Sequence, residues 1–514
     1  MPKQRQDRQS DPGALEAEVR RCLGPETGGG QGQVLLAAVS GGLDSMVLLD
    51  LLLRLQETLG YGLHAAHLDH AWREESAADA AWVAERAAAC GIRFHGRRAD
   101  VGAYASQSGQ SLEAAGRTLR YRFFADTAAA LGGCRLVTGH HADDQAETVL
   151  MRLLRGSGAG GLAAMKPAGD GAGGQEILRP LLGVDRAAIE HYARLRGVPF
   201  RQDPSNRDTR FTRNRVRHEL LPLLRRSFNP GIDRALRRTA DVLASEDAFM
   251  SEETRRAWKA VCLNAAGGCV ILAAPKLLNY HMAIQRRLVR QALLAARPAP
   301  GAPPDSGPPA PEFAGVEGVL LTASEGGIRA VSGGVWAQRV GDRLVLRADK
   351  ADFAGLEVEF PGEYPLPGGG LLRARRLPAT EFSGLRPRLG PWTAAFDAER
   401  LRGPIRLRRP LEGDRLQPLG MRGHKKLSDL LVDAKWPRVL RPEALLLTCD
   451  GEIAWAVGLR QAESFKVGPA TRRLLLLEVE GHVWDLEGRD SPARQGADGT
   501  RRRWNKAPMK QGTD

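Results

Sequence analysis

Between residues 34 and about 200, short apolar runs alternate with longer stretches in which apolar residues recur at helical spacing. An unbroken apolar run of strand length predicts a strand buried on both faces, and the spacing that follows predicts a helix packed against it. Repeated alternation favours a doubly wound parallel sheet, which binds ligands at the carboxyl ends of its strands. The predicted strands cover 34–39, 62–69, 92–96 and 135–139, and the predicted helices cover 46–53, 76–90, 111–131 and a stretch from 143.

Downstream of residue 213 the pattern changes twice. Residues 214–350 predict a mostly helical domain, interrupted at 297–311 by a Pro- and Gly-rich stretch that cannot form a core. Strand-like pieces separated by Pro-Gly, Gly-Gly and Asp-Gly predict a small β-rich C-terminal domain at 351–480. The expected fold class is therefore α/β, with a doubly wound parallel sheet at 31–213, these two later domains, and disordered tails at 1–30 and 481–514.

Composition narrows the class of protein. The chain holds 74 Lys and Arg against 60 Asp and Glu, a formal net charge of +14. That excess suits a polyanionic partner, although the arginine and alanine bias of a GC-rich genome accounts for part of it. Six cysteines form no C-x-x-C pair, which fits a reducing cytosol and argues against a cysteine zinc or iron–sulfur site. No apolar run is long enough to span a membrane and no signal-peptide pattern begins the chain, so a cytoplasmic protein without a membrane partner is expected.

The first predicted strand leads directly into the sequence SGGLDS at residues 40–45. A strand, a glycine turn and a helix N-terminus aim backbone N–H groups at one point, which makes an anion site. No Lys-Ser or Lys-Thr follows the glycines, so this is not a Walker A loop. SGGLDS resembles the pyrophosphate loop (PP-loop) of ATP pyrophosphatases, enzymes that cleave ATP between the α and β phosphates to adenylate a substrate. The resemblance implies that ATP is bound by Ser40, Gly41, Gly42, Leu43, Asp44 and Ser45, and that Asp44 helps to hold Mg²⁺.

Polar side chains also gather at the end of the second strand and on one helix. His67 and Asp69 offer an imidazole and a carboxylate that can bind a metal or orient adenosine, unless they are ordinary strand-end polar residues. Arg117 and Arg120 share a helix face at i, i+3. Two such guanidinium groups can clamp a phosphate or a carboxylate, or they can simply face solvent.

The richest cluster, at residues 139–148, has two histidines and three carboxylates directly after a predicted strand. Asp143 or Asp144 can cap the helix that follows. Asp144 and Glu147 are three residues apart and share a helix face, where they can bind Mg²⁺ or take a proton from an attacking amine. Capping explains one aspartate but not the whole cluster, so reaction chemistry is expected here.

Several motifs, taken in order along the chain, resemble the bacterial tRNA(Ile)-lysidine synthetase family. They are SGGLDS, HLDHAWR, RTLRYRFF and GHHADDQAETVLMRLLRGSGAGGL, followed by RPLL at 179–182, DPSN at 203–206, FTRNRVR at 211–217, NP at 229–230 and GDRLQPLGMRGHKKLSDLLVDAKWPRVLRPEALLL at 413–447. The resemblance spans most of the chain, is patchy between 240 and 400, and is absent from both tails. The departures are Ala71-Trp72, where the family often has Gly-Leu, and the proline insertion near residue 300.

The resemblance implies a reaction on tRNA. ATP adenylates the C2 oxygen of the wobble cytidine in an isoleucine tRNA with a CAU anticodon, and the ε-amine of free L-lysine then displaces AMP to leave lysidine. Codon reading and aminoacylation identity switch from methionine to isoleucine. The implied cofactors are ATP and Mg²⁺. The oligomeric state stays open, with a homodimer as one candidate.

The resemblance also implies roles for domains and for particular residues. Residues 31–213 would form the ATP-binding catalytic domain, residues 214–350 would bind substrate and tRNA, and residues 351–480 would bind tRNA. Asp44, Asp144 and Glu147 would take metal and base roles, with Asp44 and Asp144 as the metal ligands. Arg117 and Arg120 would hold the cytidine or its adenylate. ATP binding would further involve His67, Asp69 and His140. The tRNA-binding candidates are Arg213, Arg215 and Arg217, on an arginine-rich segment that could equally pack domains together, and Lys425 and Lys426, which could equally be surface lysines.

Two alternatives remain at this point. One is another adenylating enzyme on the same fold, such as a tRNA thiolase or a small-molecule ligase; the isolated Cys90 and Cys134 argue against thiolation, which generally needs cysteines near the site. The other is an RNA-binding protein with an inactive nucleotide domain. The intact Asp44, Asp144 and Glu147 argue against that alternative.

Overall fold

The computed structural model describes residues 12–24, 32–71, 76–171, 174–202, 208–296, 312–331, 334–348, 353–367 and 370–481. Within these ranges the chain forms two compact units, the first ending at Glu252 and the second beginning at Glu253. The finer division into domains stays a prediction. No helix in the described ranges is both long enough and apolar enough to cross a membrane.

The first unit is built on a sheet of six strands, β1 (Val34–Ala38), β2 (Gly62–Asp69), β3 (Arg93–Arg98), β4 (Arg135–Val137), β5 (Ala168–Asp170) and β6 (Glu176–Leu178). Their order across the sheet is β3-β2-β1-β4-β6-β5. Neighbours are parallel, except that β5 runs antiparallel to β6. The prediction of a doubly wound parallel sheet is therefore confirmed.

Helices cover both faces of this sheet. Leu35 and Ala37 on β1 face one hydrophobic core, and Leu36 faces another that contains Leu136 and Phe123. A strand buried on both faces can carry an unbroken apolar run, which is why this segment shows no alternation. The helices of the unit are Pro12–Leu23, Leu43–Leu59, Ser76–Ala89, Val101–Ser108, Leu112–Ala130, Ala142–Leu154, Ala159–Leu162, Arg186–Arg196, Thr212–Arg215 and Leu221–Ser227, with a π-helical stretch at Val216–Leu220. The long helix Ile232–Val261 also begins in this unit.

The N-terminal segment corrects one prediction. A disordered tail was predicted for residues 1–30, but Pro12–Leu23 form a helix. Its side chains Leu15, Val19 and Leu23 recur every four residues and are buried in the core on one face of the sheet. That stripe was hidden by the polar composition around it. Residues 1–11 and 25–30 lie outside the described part of the chain.

The strand order creates a crevice at the carboxyl ends of the central strands. β1 lies between β2 and β4, so the next strand in sequence, β2, is on one side of β1 and β4 is on the other. In register, Ala38 pairs with Ala66 of β2, and Ala37 pairs with Val137 of β4. The carboxyl ends of these strands therefore meet, and such a topological switch point is where doubly wound folds bind ligands.

The second unit begins with a sheet in the middle of the chain. The helices predicted there are present, and with them is a five-stranded sheet whose hairpin of Cys262–Ala266 and Cys269–Ala273 was not predicted. The other strands of this sheet are Ile328–Val331, Val335–Val340 and Arg343–Ala348, and the helices are Ala274–Leu278, Met282–Ala296 and Phe313–Glu325. The predicted insertion at 297–311 lies outside the described residues.

The C-terminal part of this unit is β-rich, as predicted. Its core surrounds Trp455 and Phe396, which are fully buried. One sheet contains Leu356–Glu357, Ile405–Arg408, Leu446–Cys449, Glu452–Ala456 and Arg460–Gln461. Another sheet contains Gly362–Pro365, Leu371–Pro378, Thr393–Asp397 and Arg473–Glu480, and the strand Arg415–Leu416 pairs with Lys425–Lys426. The α-helices are Phe382–Leu385 and Leu427–Asp433. Residues 482–514 of the predicted tail are not among those described.

Candidate active site

A cleft of about 1370 Å³ lies within the first unit at the carboxyl ends of β1, β2 and β4. Its floor is formed by residues 38–45, its walls by the starts of the helices that follow β1 and β4, and part of its rim by residues 211–225. The structure brings most of the candidate residues to this cleft. Those that line it are Ser40, Gly41, Gly42, Leu43, Asp44, Ser45, His67, Asp69, Arg117, Arg120, His140, Asp144, Glu147, Arg213 and Arg217.

The loop after β1 is closed by its two serines. The Ser45 hydroxyl donates to the Gly42 carbonyl (2.9 Å), accepts from the Ser40 amide (3.2 Å), and lies 3.1 Å from the Ser40 hydroxyl. Gly41 has φ +85°, a left-handed conformation that favours glycine. Gly42 caps the helix Leu43–Leu59 without a side-chain hydrogen bond, so the N–H groups of the first turn are left for a ligand. A helix N-terminus of this kind favours a phosphate group.

Gly139, at the end of β4, packs against the backbone of this loop. A Cβ atom at Gly139 would lie 3.0 Å from the Asp44 carbonyl oxygen and 3.2 Å from the Ser45 amide nitrogen. Only glycine allows the end of β4 to approach the first turn of the helix Leu43–Leu59 so closely. Gly139 belongs to one of the motifs quoted above, but no role for it could be predicted from the sequence.

Gly139→Ala is expected to destabilise the fold by about 2 kcal/mol, because backbone atoms must move to admit the methyl group. Displacement of the loop should also raise the KM for ATP roughly tenfold. Urea denaturation and ATP-dependent kinetics would measure the two effects. The matched control is Gly390→Ala, an exposed position with no left-handed φ and no described atom within 4 Å of the added Cβ, and it should change neither quantity. Equal behaviour of the two variants would contradict the close-approach argument.

Asp44 lies in the first turn of the helix that follows the loop. Its Oδ2 is 3.4 Å from Arg186 Nη1 and 3.8 Å from His141 Nε2. Its Oδ1 is buried and has no hydrogen-bond partner among the described residues. Burial raises the pKa of Asp44, and the nearby His141 and Arg186 oppose that rise only in part. A buried carboxylate oxygen without a partner is a candidate ligand for a cation.

Asp144 and Glu147 form a four-membered ion cluster with two arginines. Arg213 donates to Asp144 Oδ1 (2.8 Å) and Glu147 Oε2 (2.9 Å), and Arg217 donates to Asp144 Oδ1 (3.1 Å), Glu147 Oε1 (2.5 Å) and Glu147 Oε2 (3.0 Å). The Glu147 side chain is only 1% exposed. Burial acts to raise the pKa of Asp144, but the nearby His141 and Arg213 outweigh it, so this pKa lies below its ordinary value.

The ion cluster changes how three candidate tRNA-binding residues are understood. Arg213 and Arg217 lie in the cleft with both carboxylates as partners, so a tRNA phosphate would have to compete for them. Arg215 is exposed, and among the described residues its ion-pair partner is Glu219, at 3.8 Å. Of the three, Arg215 has the geometry of a surface phosphate contact. Residues 203–206, part of the same motif region, are not described.

Two histidines sit beside the ion cluster. His141, not an aspartate, is the N-cap of the helix Ala142–Leu154: its Nδ1 accepts from the Asp143 amide (3.3 Å), and Asp144 completes the capping box by accepting from the His141 amide (3.0 Å). His140 shares a 2.8 Å hydrogen bond with Thr138, and burial lowers its pKa to about 3. His140 is therefore neutral at pH 7 and can contact a nucleotide without adding charge.

The end of β2 supplies His67 and Asp69. His67 Nδ1 donates to the Val39 carbonyl (2.8 Å), and burial lowers the pKa of His67. A neutral ring that donates through Nδ1 leaves Nε2 as an acceptor. Asp69 accepts from the Ala71 amide (2.8 Å) and lies 3.5 Å from Arg98. The remaining part of this motif, Trp72 and Arg73, is outside the described residues.

Arg117 and Arg120 lie on the wall formed by the helix Leu112–Ala130, and both side chains are exposed. The Arg117 guanidinium lies over the ring of Tyr121 at 4.8 Å from its centroid. That stacking holds the group extended while its N–H donors stay available to a ligand.

Two cleft residues were missed from the sequence, Arg186 and Arg201. Arg186 contacts Asp44, as described above. The Arg201 amide donates to the Gly41 carbonyl (2.9 Å), while its side chain pairs with Asp79 (2.8 Å) and lies over the Trp82 ring. Both lie more than 140 residues from the loop they contact, so no local pattern could reveal them.

The candidate lysines of the second unit lie on a short hairpin before the helix Leu427–Asp433. Lys425 is paired with Asp433. Lys426 is exposed, and so are the neighbouring Arg422 and His424. This hairpin is a basic surface suited to a polyanion.

Cysteine chemistry is not supported at the cleft. All six cysteines lie within the described ranges, and none of them is in a disulfide bond. None of them lines the cleft. The same ranges contain no group of three or more His, Cys, Asp or Glu side chains arranged to hold a metal by themselves. Thiolation is therefore the less favoured chemistry.

Comparisons with known proteins agree with this geometry. Residues 15–224 match the PP-loop domain family, and residues 405–477 match the TilS substrate C-terminal domain family. The chain is 37% identical over 458 residues to the tRNA(Ile)-lysidine synthase of Geobacter sulfurreducens, covering 88% of this chain and 94% of that protein. It is 37% identical to that of Symbiobacterium thermophilum (87% and 94% covered) and 34% identical to that of Dehalococcoides mccartyi (87% and 95% covered). The chain therefore belongs to the tRNA(Ile)-lysidine synthase family, whose PP-loop domain uses ATP.

Proposed function

We propose that this protein joins free L-lysine to C2 of the wobble cytidine in an isoleucine tRNA with a CAU anticodon. The reaction passes through an adenylated cytidine and releases pyrophosphate and AMP. The observation that carries the proposal is the cleft at the switch point, where the PP-loop, Asp44 and the Asp144–Glu147 pair share one space. A cytoplasmic location and a homodimer stay predictions from the sequence.

The PP-loop is suited to bind the phosphates of ATP. The uncapped N-terminus of the helix Leu43–Leu59 offers backbone N–H donors, and the helix dipole favours the negative charge of pyrophosphate. On the adjacent strand end, the Nε2 acceptor of neutral His67 and the uncharged His140 can orient the adenosine. In the adenylation step the cytidine C2 oxygen bonds to the α phosphorus, and the bond from that phosphorus to the bridging oxygen breaks.

The carboxylates Asp44 and Asp144 fit an Mg²⁺ ion. The Oδ2 atoms of Asp44 and Asp144 lie 3.8 and 3.5 Å from His141 Nε2, and Asp44 Oδ1 has no partner among the described residues. Two carboxylates and substrate phosphates are a common ligand set for Mg²⁺, which usually lacks a cage made by protein alone. When bound there, the ion would neutralise phosphate charge. Asp44 and Asp144 would be its protein ligands.

The second step needs a neutral lysine amine. Free lysine carries an ammonium group at pH 7, so a carboxylate must take its proton before or during attack. Glu147 and Asp144 suit this role, since their carboxylate oxygens line the cleft and are fixed in position by Arg213 and Arg217. The incoming ammonium would replace part of a guanidinium contact on the same oxygens. Arg117 and Arg120, which line the same cleft from the helix Leu112–Ala130, are suited to hold the adenylated cytidine.

The test is incorporation of radiolabelled lysine with ATP and Mg²⁺ into an isoleucine tRNA carrying a CAU anticodon. A methionine tRNA with the same anticodon is the control. Label in the isoleucine tRNA alone supports the proposal. Pyrophosphate release without lysine incorporation would keep the adenylating activity and reject lysine as the nucleophile.

A further inference from the structure

Arg186 is a cleft residue to which the sequence gave no role. It is the first residue of the helix Arg186–Arg196, and its Nη1 lies 3.4 Å from Asp44 Oδ2. Its Nε donates to Glu190 (3.1 Å), and its side chain is 39% exposed. Within the described part of the chain, Nη2 has no partner, so this guanidinium still has donors to offer.

Two contacts hold Arg186 in place beside the PP-loop. Tyr192, on the same helix, donates to Asp50 on the helix Leu43–Leu59 at 2.7 Å. Asp185, at the N-cap of the Arg186 helix, pairs with Arg237 at 2.7 Å. The two helices are thereby fixed against each other. The backbone of Arg186 does not need to move for its side chain to reach across the loop.

The contact to Asp44 is at the long end of the hydrogen-bond range, so it is easily exchanged for a better acceptor. A phosphate group bound at the helix N-terminus would lie next to Asp44, because Asp44 belongs to the first turn of that helix. A guanidinium matches two phosphate oxygens with parallel donors. Charge that develops on a leaving pyrophosphate is best stabilised by a group already in position.

We propose that Arg186 binds the β–γ phosphate portion of ATP and stabilises pyrophosphate as it leaves in the adenylation step. This inference deepens the proposed function and rests on it for the identity of the reaction. Arg186 turns from Asp44 to the phosphate when the nucleotide binds, and Asp44 is then available to a cation. The positive charge of Arg186 compensates the electron pair that departs with pyrophosphate.

The experiment compares Arg186→Ala and Arg186→Lys with Arg196→Ala. Arg196 lies on the same helix, is exposed, and does not line the cleft. The first measurement is calorimetric binding of inorganic pyrophosphate with Mg²⁺ to the full chain. Loss of charge-assisted hydrogen bonds should weaken binding by about 10- to 100-fold in Arg186→Ala. Arg186→Lys keeps the charge but loses the paired donors of the guanidinium, so its affinity for pyrophosphate should lie between those of Arg186→Ala and the wild type. Arg196→Ala should match the wild type.

The second measurement is tRNA-dependent pyrophosphate release. Arg186→Ala should lower kcat for this step by about 100-fold, and product inhibition by pyrophosphate should weaken in parallel with binding. Unchanged pyrophosphate binding in Arg186→Ala would overturn the inference, even if the wild type makes lysidine. If Arg186→Ala binds pyrophosphate more weakly than the wild type but the wild type fails to modify tRNA, the phosphate site is supported and the proposed function is rejected. The two failures are therefore distinguishable.

Discussion

Asp44→Asn should lower kcat/KM for lysidine formation by about 10³-fold or more, because the amide keeps the shape of the side chain but loses its charge. Asp44 is the residue at which three features meet: the helix N-terminus, an unpartnered buried oxygen, and the contact to Arg186. Burial already raises the pKa of this carboxyl, so its neutral form is not costly to the fold. The stability of Asp44→Asn should therefore be close to that of the wild type, and the loss should be confined to catalysis.

Glu57→Gln is the matched control for that prediction. Glu57 lies near the other end of the same helix, and its side chain is exposed. It is absent from the residues that line the cleft. We expect Glu57→Gln to keep most of the activity, measured as radiolabelled lysine incorporated into tRNA. An Asp44→Asn enzyme as active as Glu57→Gln would remove Asp44 from the mechanism.

Glu147→Gln should reduce the free energy of unfolding by roughly 3 kcal/mol, which is typical when one partner of a buried ion pair is removed. In the native cluster two carboxylates face two guanidinium groups. After the substitution Asp144 alone must balance Arg213 and Arg217, so one positive charge is left buried without compensation. Loss of the carboxylate should also remove most of the activity, because the lysine amine loses a proton acceptor.

Urea denaturation would measure the stability term, with Glu219→Gln as the control. Glu219 lies on the same arginine-rich segment, but its side chain is 57% exposed and lies 3.8 Å from Arg215. Exposed pairs contribute little, so this control should change stability by less than about 0.5 kcal/mol. Arg217→Gln added to Glu147→Gln should recover part of the loss, since it removes the uncompensated charge. If the urea concentration at the unfolding midpoint is the same for Glu147→Gln as for the wild type, the ion cluster does not stabilise the fold.

Local sequence pattern was sufficient to predict the fold of the N-terminal unit and many residues of the candidate site. The apolar run that becomes β1 could be recognised because a strand buried on both faces excludes polar residues. The glycine turn that follows could be read as an anion site because glycine conformation and helix N-termini are local properties. The carboxylates of the cluster at 139–148 were found for a similar reason, since they are close together along one helix. Motifs kept in order also identified the family before any geometry was known.

The partners of those residues were decided only by the tertiary structure. Arg186 and Arg201 reach the PP-loop from distant segments, and Arg213 and Arg217 turn inward to Asp144 and Glu147 instead of facing solvent. An arginine on an exposed surface and one in a buried ion cluster look alike in the sequence, because the difference lies in which carboxylates the fold brings within 4 Å. Gly139 shows the same limit, since its lack of a side chain matters only because the end of β4 meets the first turn of the helix Leu43–Leu59. The chemical groups available at a site can be found from neighbouring residues in the sequence. Which charges compensate each other, and which backbone segments approach closely, depends on contacts between segments far apart in sequence.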